Sequence, residues 1–179
     1  MIVRPTLTTQ RLVLRPYREE DAADVRRVAG DRAIADTTLR IPHPYQERDA
    51  VAFIARQQDN FASGRSVQFA MTSAADGELL GGIGLTIDPD HASGELGYYV
   101  AQPHWGKGYA SEAAAAVLAF AFDVKHLNRV HAHHMTRNPA SGRILQKIGM
   151  RHEGTLREHI MKWGVPENVE VYAVLAADR

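Results

Sequence analysis

The sequence contains no cysteine. Disulfides, thiolate nucleophiles and cysteine–zinc sites are excluded at once, and the count fits a reducing compartment. Net charge is also missing: 21 lysines and arginines balance 21 aspartates and glutamates. No global field draws such a chain to nucleic acid or anionic membrane, so neither is expected as a direct partner. Long apolar runs are absent. The longest, Ala113 to Phe122, has ten residues, against about 20 for a bilayer-spanning helix. The stretch Met1 to Gln10 carries one arginine and no apolar run, so no secretory leader is expected. These absences lead to the expectation of a soluble, cytoplasmic protein.

A chain of 179 residues buries enough surface to fold as one domain without metal or disulfide. Hydrophobic residues make up 45 % and charged residues 23 %, which excludes wholesale disorder. A single domain over residues 1–179 is expected, with no linker, repeat or low-complexity stretch.

Leu12 to Tyr17 alternates as a first strand ended by Pro16, and Glu19, Glu20 and Asp21 ahead of Arg26 and Arg27 suit a helix dipole. Ile41 to Tyr45, with two prolines, is a loop. Gln46 to Ser63 predicts one helix with Val51, Ile54 and Phe61 on its apolar face and a stop at Gly64. Period two from Val67 to Ala101, punctuated by Asp76-Gly77 and Asp88-Pro89-Asp90, predicts a three-stranded antiparallel meander. An alanine-rich buried helix covers Tyr109 to Val124. A strand follows at Arg129 to Thr136, and Asn138-Pro139 opens a helix, since asparagine suits the N-cap and proline the first turn. Met150 to Met161 and Val169 to Ala176 are the last strands, around a Trp163-Gly164 turn. The class is mixed α/β with a single core.

The stretch from Tyr99 to Glu112 is a strand, a short glycine loop and a helix start. Such a start offers unpaired amides and a positive dipole end for phosphate, and Gly106 and Gly108 let the backbone approach an anion. A loop that simply turns tightly into a helix has the same spacing. A Walker loop is excluded because Lys107 is followed by glycine, and a dinucleotide fingerprint because Ser111 stands at its third position.

Trp105-Gly106-Lys107-Gly108-Tyr109-Ala110 resembles the acetyl-CoA loop, Gln/Arg-x-x-Gly-x-Gly/Ala, of the GCN5-related N-acetyltransferases (GNAT). Gly108 and Ala110 match its last two positions. Trp105, where glutamine or arginine is usual, is a departure shared with the ribosomal-protein N-terminal acetyltransferase (RimJ/RimL-like) branch. Arg11 to Pro16 with Glu20-Asp21, Gly82 to Leu85, Glu95 to Tyr98, Asn138 to Ser141, Lys147 to Met150 and Glu153 to Arg157 resemble further segments of that branch in order. The likeness runs from about Gln10 to Leu175.

The resemblance implies an α/β (α+β) GNAT fold: a mixed sheet of six to seven strands, helices on both faces, and central parallel strands that splay around pantetheine. It implies acetyl-CoA as co-substrate and no metal. Backbone groups of Tyr99 and Val100 would hold pantetheine, and amides of Gly106, Lys107, Gly108, Tyr109, Ala110 and Ser111 the pyrophosphate. Asn138 would face the thioester end or serve as the helix N-cap. Glu95 is the candidate general base, against a carboxylate merely paired with an arginine. Ser141 is the candidate to assist the leaving thiolate, because Leu145 stands where many relatives carry tyrosine; Tyr98 and Tyr99 are fallback donors. His43 and Tyr45 would wall the acceptor site. Arg137 faces either an adenosine phosphate or solvent.

His131, His133 and His134 look like a metal cluster, but strand alternation sends His134 to the opposite face. No carboxylate stands near enough in sequence to complete a set. The expected activity is acetyl transfer to a primary amine by direct attack in a ternary complex. The acceptor is a protein N-terminus or a small molecule such as a polyamine or antibiotic. A non-catalytic acyl-CoA-binding or sensing module and an unrelated phosphate binder are the competing classes. A homodimer through outer strands is compatible with the branch.

Overall fold

The computed structural model describes residues 3–179. Eight strands form one sheet: β1 (Leu7–Thr8), β2 (Leu12–Arg15), β3 (Ser66–Ser73), β4 (Leu79–Asp88), β5 (Ser93–Val100), β6 (Arg129–Met135), β7 (Arg151–Lys162) and β8 (Val165–Leu175). Their order is β1-β2-β3-β4-β5-β6-β8-β7. The helices are α1 (Ala22–Ala29), α2 (Arg32–Thr37), α3 (Glu47–Ala55), α4 (Gln57–Ala62), α5 (Tyr109–Asp123) and α6 (Pro139–Lys147). No helix among the described residues is long and apolar enough to cross a membrane.

Alternation along the strands builds two cores. Leu12, Leu14, Phe69, Ile83, Leu85, Leu96 and Val130 pack with α5 and α6 on one face. Tyr17, Ala70 and Tyr99 pack with α1 and α3 on the other. In α5 the fully buried residues are small, Ala113, Ala114, Val117 and Ala121. A helix with few bulky side chains on its inner face lies close to the sheet, which brings its N-terminus to the end of β5.

All pairings are antiparallel except β5 with β6. That parallel pairing covers only Ser93↔Arg129, Gly94↔Val130 and Glu95↔His131. Beyond it β5 continues on β4 as far as Val100, and β6 continues on β8 as far as Met135. The sheet therefore opens as a V whose apex is the Glu95–His131 pair.

The three-stranded meander, the alanine-rich helix and the Asn138-Pro139 helix start lie where the sequence predicts. Other segments differ. The single helix expected over Gln46 to Ser63 is two, because the buried Gln57 side chain donates to the Phe53 carbonyl at 2.6 Å and interrupts the backbone ladder. Val51 is 53 % exposed; the buried stripe is Ala50 and Ile54, one helical turn apart. Helix α2, whose Asp31 N-cap accepts from the Ala33 amide, was not foreseen. The two-residue β1 raises the sheet from the expected six or seven strands to eight. β8 starts at Val165, four residues before its predicted start, because its first residues pair with the end of β7 across a tight turn.

Gly82 lies opposite Tyr99 on β4. A Cβ there would come within 2.2 Å of the Tyr17 hydroxyl and 2.8 Å of the Tyr99 ring. Gly82→Ala is expected to destabilise the fold by about 1–3 kcal/mol through overpacking. Urea denaturation, with an unchanged m-value, measures it.

Candidate active site at the sheet opening

The loop between β5 and α5 carries Gly106 and Gly108 at φ 75° and 83°, a left-handed conformation open to glycine. Gly108 caps α5 with no side-chain cap. The first backbone amide to return to the cap is that of Glu112, which donates to the Gly108 carbonyl. The amides of Tyr109, Ala110 and Ser111 precede it and are left at the positive end of a 15-residue helix. Ser111 turns its hydroxyl onto the Gly108 carbonyl at 2.9 Å.

Arg11, the residue before β2, holds this loop. Its guanidinium bonds the Lys107 carbonyl at 2.9 Å and Glu112 at 2.7 Å, and lies 4.7 Å from the centre of the Tyr109 ring. Glu112 also accepts from Thr9 and from the Arg11 amide. Burial pushes the Glu112 carboxyl up, but these donors outweigh it and hold the group below its ordinary value.

A cavity of about 1160 Å³ runs from this loop, through the V, to the opposite face of the sheet. The Ala101 amide bonds the Leu80 carbonyl of β4. By antiparallel alternation the backbone groups of Tyr99 also face β4, while those of Leu96, Tyr98 and Val100 face the opening. The Trp105 indole donates to the Val100 carbonyl at 2.6 Å. A row of backbone donors and acceptors with a phosphate-type cradle at its end fits an extended amide chain that carries a pyrophosphate.

On the α5/α6 face of the opening, the Tyr98 hydroxyl lies 2.8 Å from Ser141 Oγ at the start of α6. On the other face the Tyr99 hydroxyl meets that of Tyr17 at 3.5 Å. Burial pushes the phenols of both Tyr98 and Tyr99 up to about 12, and Tyr17 well above its ordinary value. All three stay protonated near neutrality and act as hydrogen-bond donors.

Glu95 is at the apex on the Tyr99 face. Its carboxylate takes Arg40 at 3.0 Å, and His133 Nδ1 lies 3.6 Å away. Burial depresses His133, opposed by Glu95 and assisted by His131, Arg40 and His159; burial also depresses His131. Both imidazoles are therefore neutral at pH 7.

The cradle and the V make acyl-CoA chemistry the specific comparison. The family model described as "Acetyltransferase (GNAT) domain" matches residues 11–151. The chain belongs to the GNAT acetyltransferase family. Its activity class is acetyl-CoA-dependent N-acetyl transfer. It is similar to the uncharacterized N-acetyltransferase p20 of Bacillus licheniformis, 30 % identical over 95 % of this chain and 96 % of that one. A 66-residue stretch is 32 % identical to the [ribosomal protein uS5]-alanine N-acetyltransferase of Escherichia coli, covering 37 % of this chain and 34 % of that enzyme. The crystal structure of a GNAT-family acetyltransferase from Bacillus anthracis superposes with a TM-score of 0.86 at 25 % identity, covering 97 % and 99 % of the two chains. Mycobacterium smegmatis RimJ in complex with CoA-disulfide shares the fold, with a TM-score of 0.84 at 24 % identity over 93 % of this chain and 83 % of that one.

Within this GNAT domain the structure gathers Glu95, Tyr99, Val100, Gly106, Gly108, Tyr109, Ala110, Ser111, Asn138, Ser141 and Tyr45 around one cavity. Tyr99 enters it by its side chain, since its backbone faces β4. Lys107 is exposed and offers the loop its carbonyl, already taken by Arg11. His43 is exposed, with its ring 6.2 Å from that of Trp163, outside the cavity lining. Asn138 occupies the N-cap position of α6, but its side chain makes no capping bond. Arg137, half-exposed, is held by two carboxylates. It bridges Asp36 of α2 at 2.8 Å and Glu167 of β8 at 2.6 Å.

Strand alternation does place His131 and His133 opposite His134, which stacks on Tyr172 in the other core. Glu95, supplied by the neighbouring strand, lies 3.6 Å from His133. Among the described residues no three such side chains form a group that could hold a metal. The loop-holding pair Arg11–Glu112, 101 residues apart, was missed, while the arginine pairing weighed for Glu95 is present, with Arg40 as the partner. Only strand and loop placement joins these residues, and no local spacing signals it.

Gly108→Ala places a Cβ residue at φ 83°, at a cost of about 1–2 kcal/mol. The free loop is expected to relax, so that coenzyme A binding, measured by titration calorimetry, weakens by about tenfold.

Proposed function

We propose that the acceptor is a protein N-terminal α-amine, acetylated by direct attack in a ternary complex. The observation that carries this reading is the pair of groups flanking the V, with Glu95 on one face and Tyr98–Ser141 on the other. Acetyl-CoA supplies a thioester carbon activated toward an amine, with a thiolate as leaving group. Glu95, directly or through a water, takes the proton that the nitrogen sheds as its bond to carbon forms. Tyr98 and Ser141 offer hydroxyl donors to the sulfur as its bond to carbon breaks.

A phenol near 12 lies more than three units above an ordinary thiol at about 8.5. Full proton transfer from Tyr98 would be uphill by roughly 4–5 kcal/mol, so Tyr98 donates a hydrogen bond and keeps its proton. Glu95 is charge-compensated by Arg40, which suits an acceptor needing little help. An α-amine with a pKa near 8 is about one-fifth neutral at pH 7.4; a lysine is neutral at about one in a thousand, a deficit of roughly 4 kcal/mol. The [ribosomal protein uS5]-alanine N-acetyltransferase, similar over 66 residues, supports the same acceptor class.

Coenzyme A release should depend on peptides starting with Ala, Ser or Met, with lysine side chains, polyamines and aminoglycosides far slower. Release at the no-acceptor rate throughout would overturn the reading in favour of an acyl-CoA-binding module. Glu95→Gln should lower kcat/KM by about 10²-fold, and Tyr98→Phe should lower kcat with little change in KM for the peptide.

The pH profile follows from His133. Its depressed pKa keeps it neutral until the pH falls below about 6.5. Protonation then adds a cation beside Glu95 and repels the ammonium form of the acceptor. Wild-type kcat/KM should show an extra loss on acidification, at a pH below the ordinary histidine range, that is missing in His133→Gln.

A further inference from the structure

The acceptor half of the cavity carries a charge that the neutral chain as a whole does not. On the face opposite α5 its floor is polar or small, with Gln68 on β3, Gly84 and Thr86 on β4, and Glu95 and Gly97 on β5. Three arginines border it: Arg40, Arg56 and Arg65. Two carboxylates line the same cavity, and both are engaged. Glu95 holds Arg40, and Asp49 accepts the Gln46 amide at 2.8 Å. Arg56 and Arg65 have no ion pair among the described residues.

Arg40 and Arg65 are not placed for the phosphates of coenzyme A. The Arg65 carbonyl accepts the Ile87 amide, and the Arg40 guanidinium reaches Thr86 and Glu95. Both therefore stand at the end of β4 and β5 where Thr86 faces Glu95. The phosphate cradle begins past Val100 at the other end of β5. Five residues of strand, roughly 16 Å, separate Glu95 from Val100 alone. An anion reaching Arg65 must come with the acceptor, beyond the attacked position.

We propose that the acceptor is an amine carrying carboxylates close to its nitrogen, and that Arg56 and Arg65 read them. Resting on the α-amine reading, this names a protein N-terminus followed by acidic side chains. Guanidinium groups suit the task because they pair with carboxylates in a planar, bidentate geometry. The arrangement also separates the two charges of the acceptor. Its amine lies toward Glu95 and its carboxylates toward the rim, so the amine is oriented before it loses its proton.

The test uses the full-length enzyme and three peptides that share a first serine: Ser-Asp-Glu, Ser-Gln-Gln and Ser-Lys-Lys extensions of equal length. Free glutamate serves as a small carrier of the same groups. The acidic peptide should have a kcat/KM about tenfold above the glutamine peptide, mainly through KM, and the advantage should shrink as salt is raised. Arg56→Gln and Arg65→Gln should each cut the acidic-to-neutral ratio about three- to fivefold, and the double variant should bring it near one. Arg65→Lys should keep part of the preference, and thermal melting of each variant confirms folding. Glutamate performing as well as the acidic peptide would reassign the carboxylate reader to a small-molecule acceptor and overturn the N-terminal form of the proposal. Equal or better use of the neutral or basic peptide would overturn the carboxylate reader while leaving N-terminal acetylation standing. No turnover with any peptide would overturn both.

Discussion

The decisive constraint on this structure is that β5 and β6 pair for only three residues before they part. A sheet interior normally satisfies its backbone groups by neighbouring strands, and leaving them open is costly. Here β5 keeps β4 and β6 keeps β8, so each strand remains anchored on its outer side while the inner sides separate. The opening connects the two faces of the sheet. A ligand can thus enter over α5, lie along the free edges of Leu96 to Val100, and meet a second reactant on the face of Glu95. The Trp105 indole on the Val100 carbonyl satisfies one open group at the mouth and ties the glycine loop to the strand.

Distant ion pairs hold the parts that border this opening. Arg11 pairs with Glu112, 101 residues away, and grips the Lys107 carbonyl, so the residue before β2 sets the position of the glycine loop. Arg137 ties α2 to the start of β8 beside the start of α6. The buried Lys162, whose ammonium burial makes easier to deprotonate, donates to the Thr38 carbonyl and lies 4.8 Å from the centre of the Trp163 ring. The tip of the β7–β8 hairpin is thereby fastened to the loop after α2. Each contact is modest in energy when exposed. Their effect is positional, since they fix loops whose backbones have no sheet to rest on.

The two faces differ in their side chains. Tyr98 and Ser141 stand with α5 and α6, where apolar packing keeps the phenol protonated. Glu95, His131 and His133 stand with the polar floor, where Arg40 and the neutral imidazoles set the local charge. One strand supplies both sets because successive residues of β5 point to opposite faces. Tyr98 and Tyr99 are neighbours in sequence and belong to different halves of the site.

Much of this was legible in the chain. Period-two alternation from Val67 to Ala101 marks the meander, and Gly106 and Gly108 before an alanine-rich run mark a tight turn into a helix start. His131 and His133 could be assigned to one face by counting alone. These are local properties, determined by steric preference and by the spacing of apolar residues. What only tertiary structure decided are the relations between segments: that β5 and β6 part after Glu95, that Glu95 meets Arg40 and His133, that Tyr98 finds Ser141, and that Arg11 holds the loop. The position of His43 outside the cavity belongs here too, as its ring lies beside Trp163 from a distant hairpin. Local sequence limits the conformations of each segment. Which segments lie within a few ångströms of one another is decided by burying two cores on one twisted sheet, and no single stretch of sequence records that.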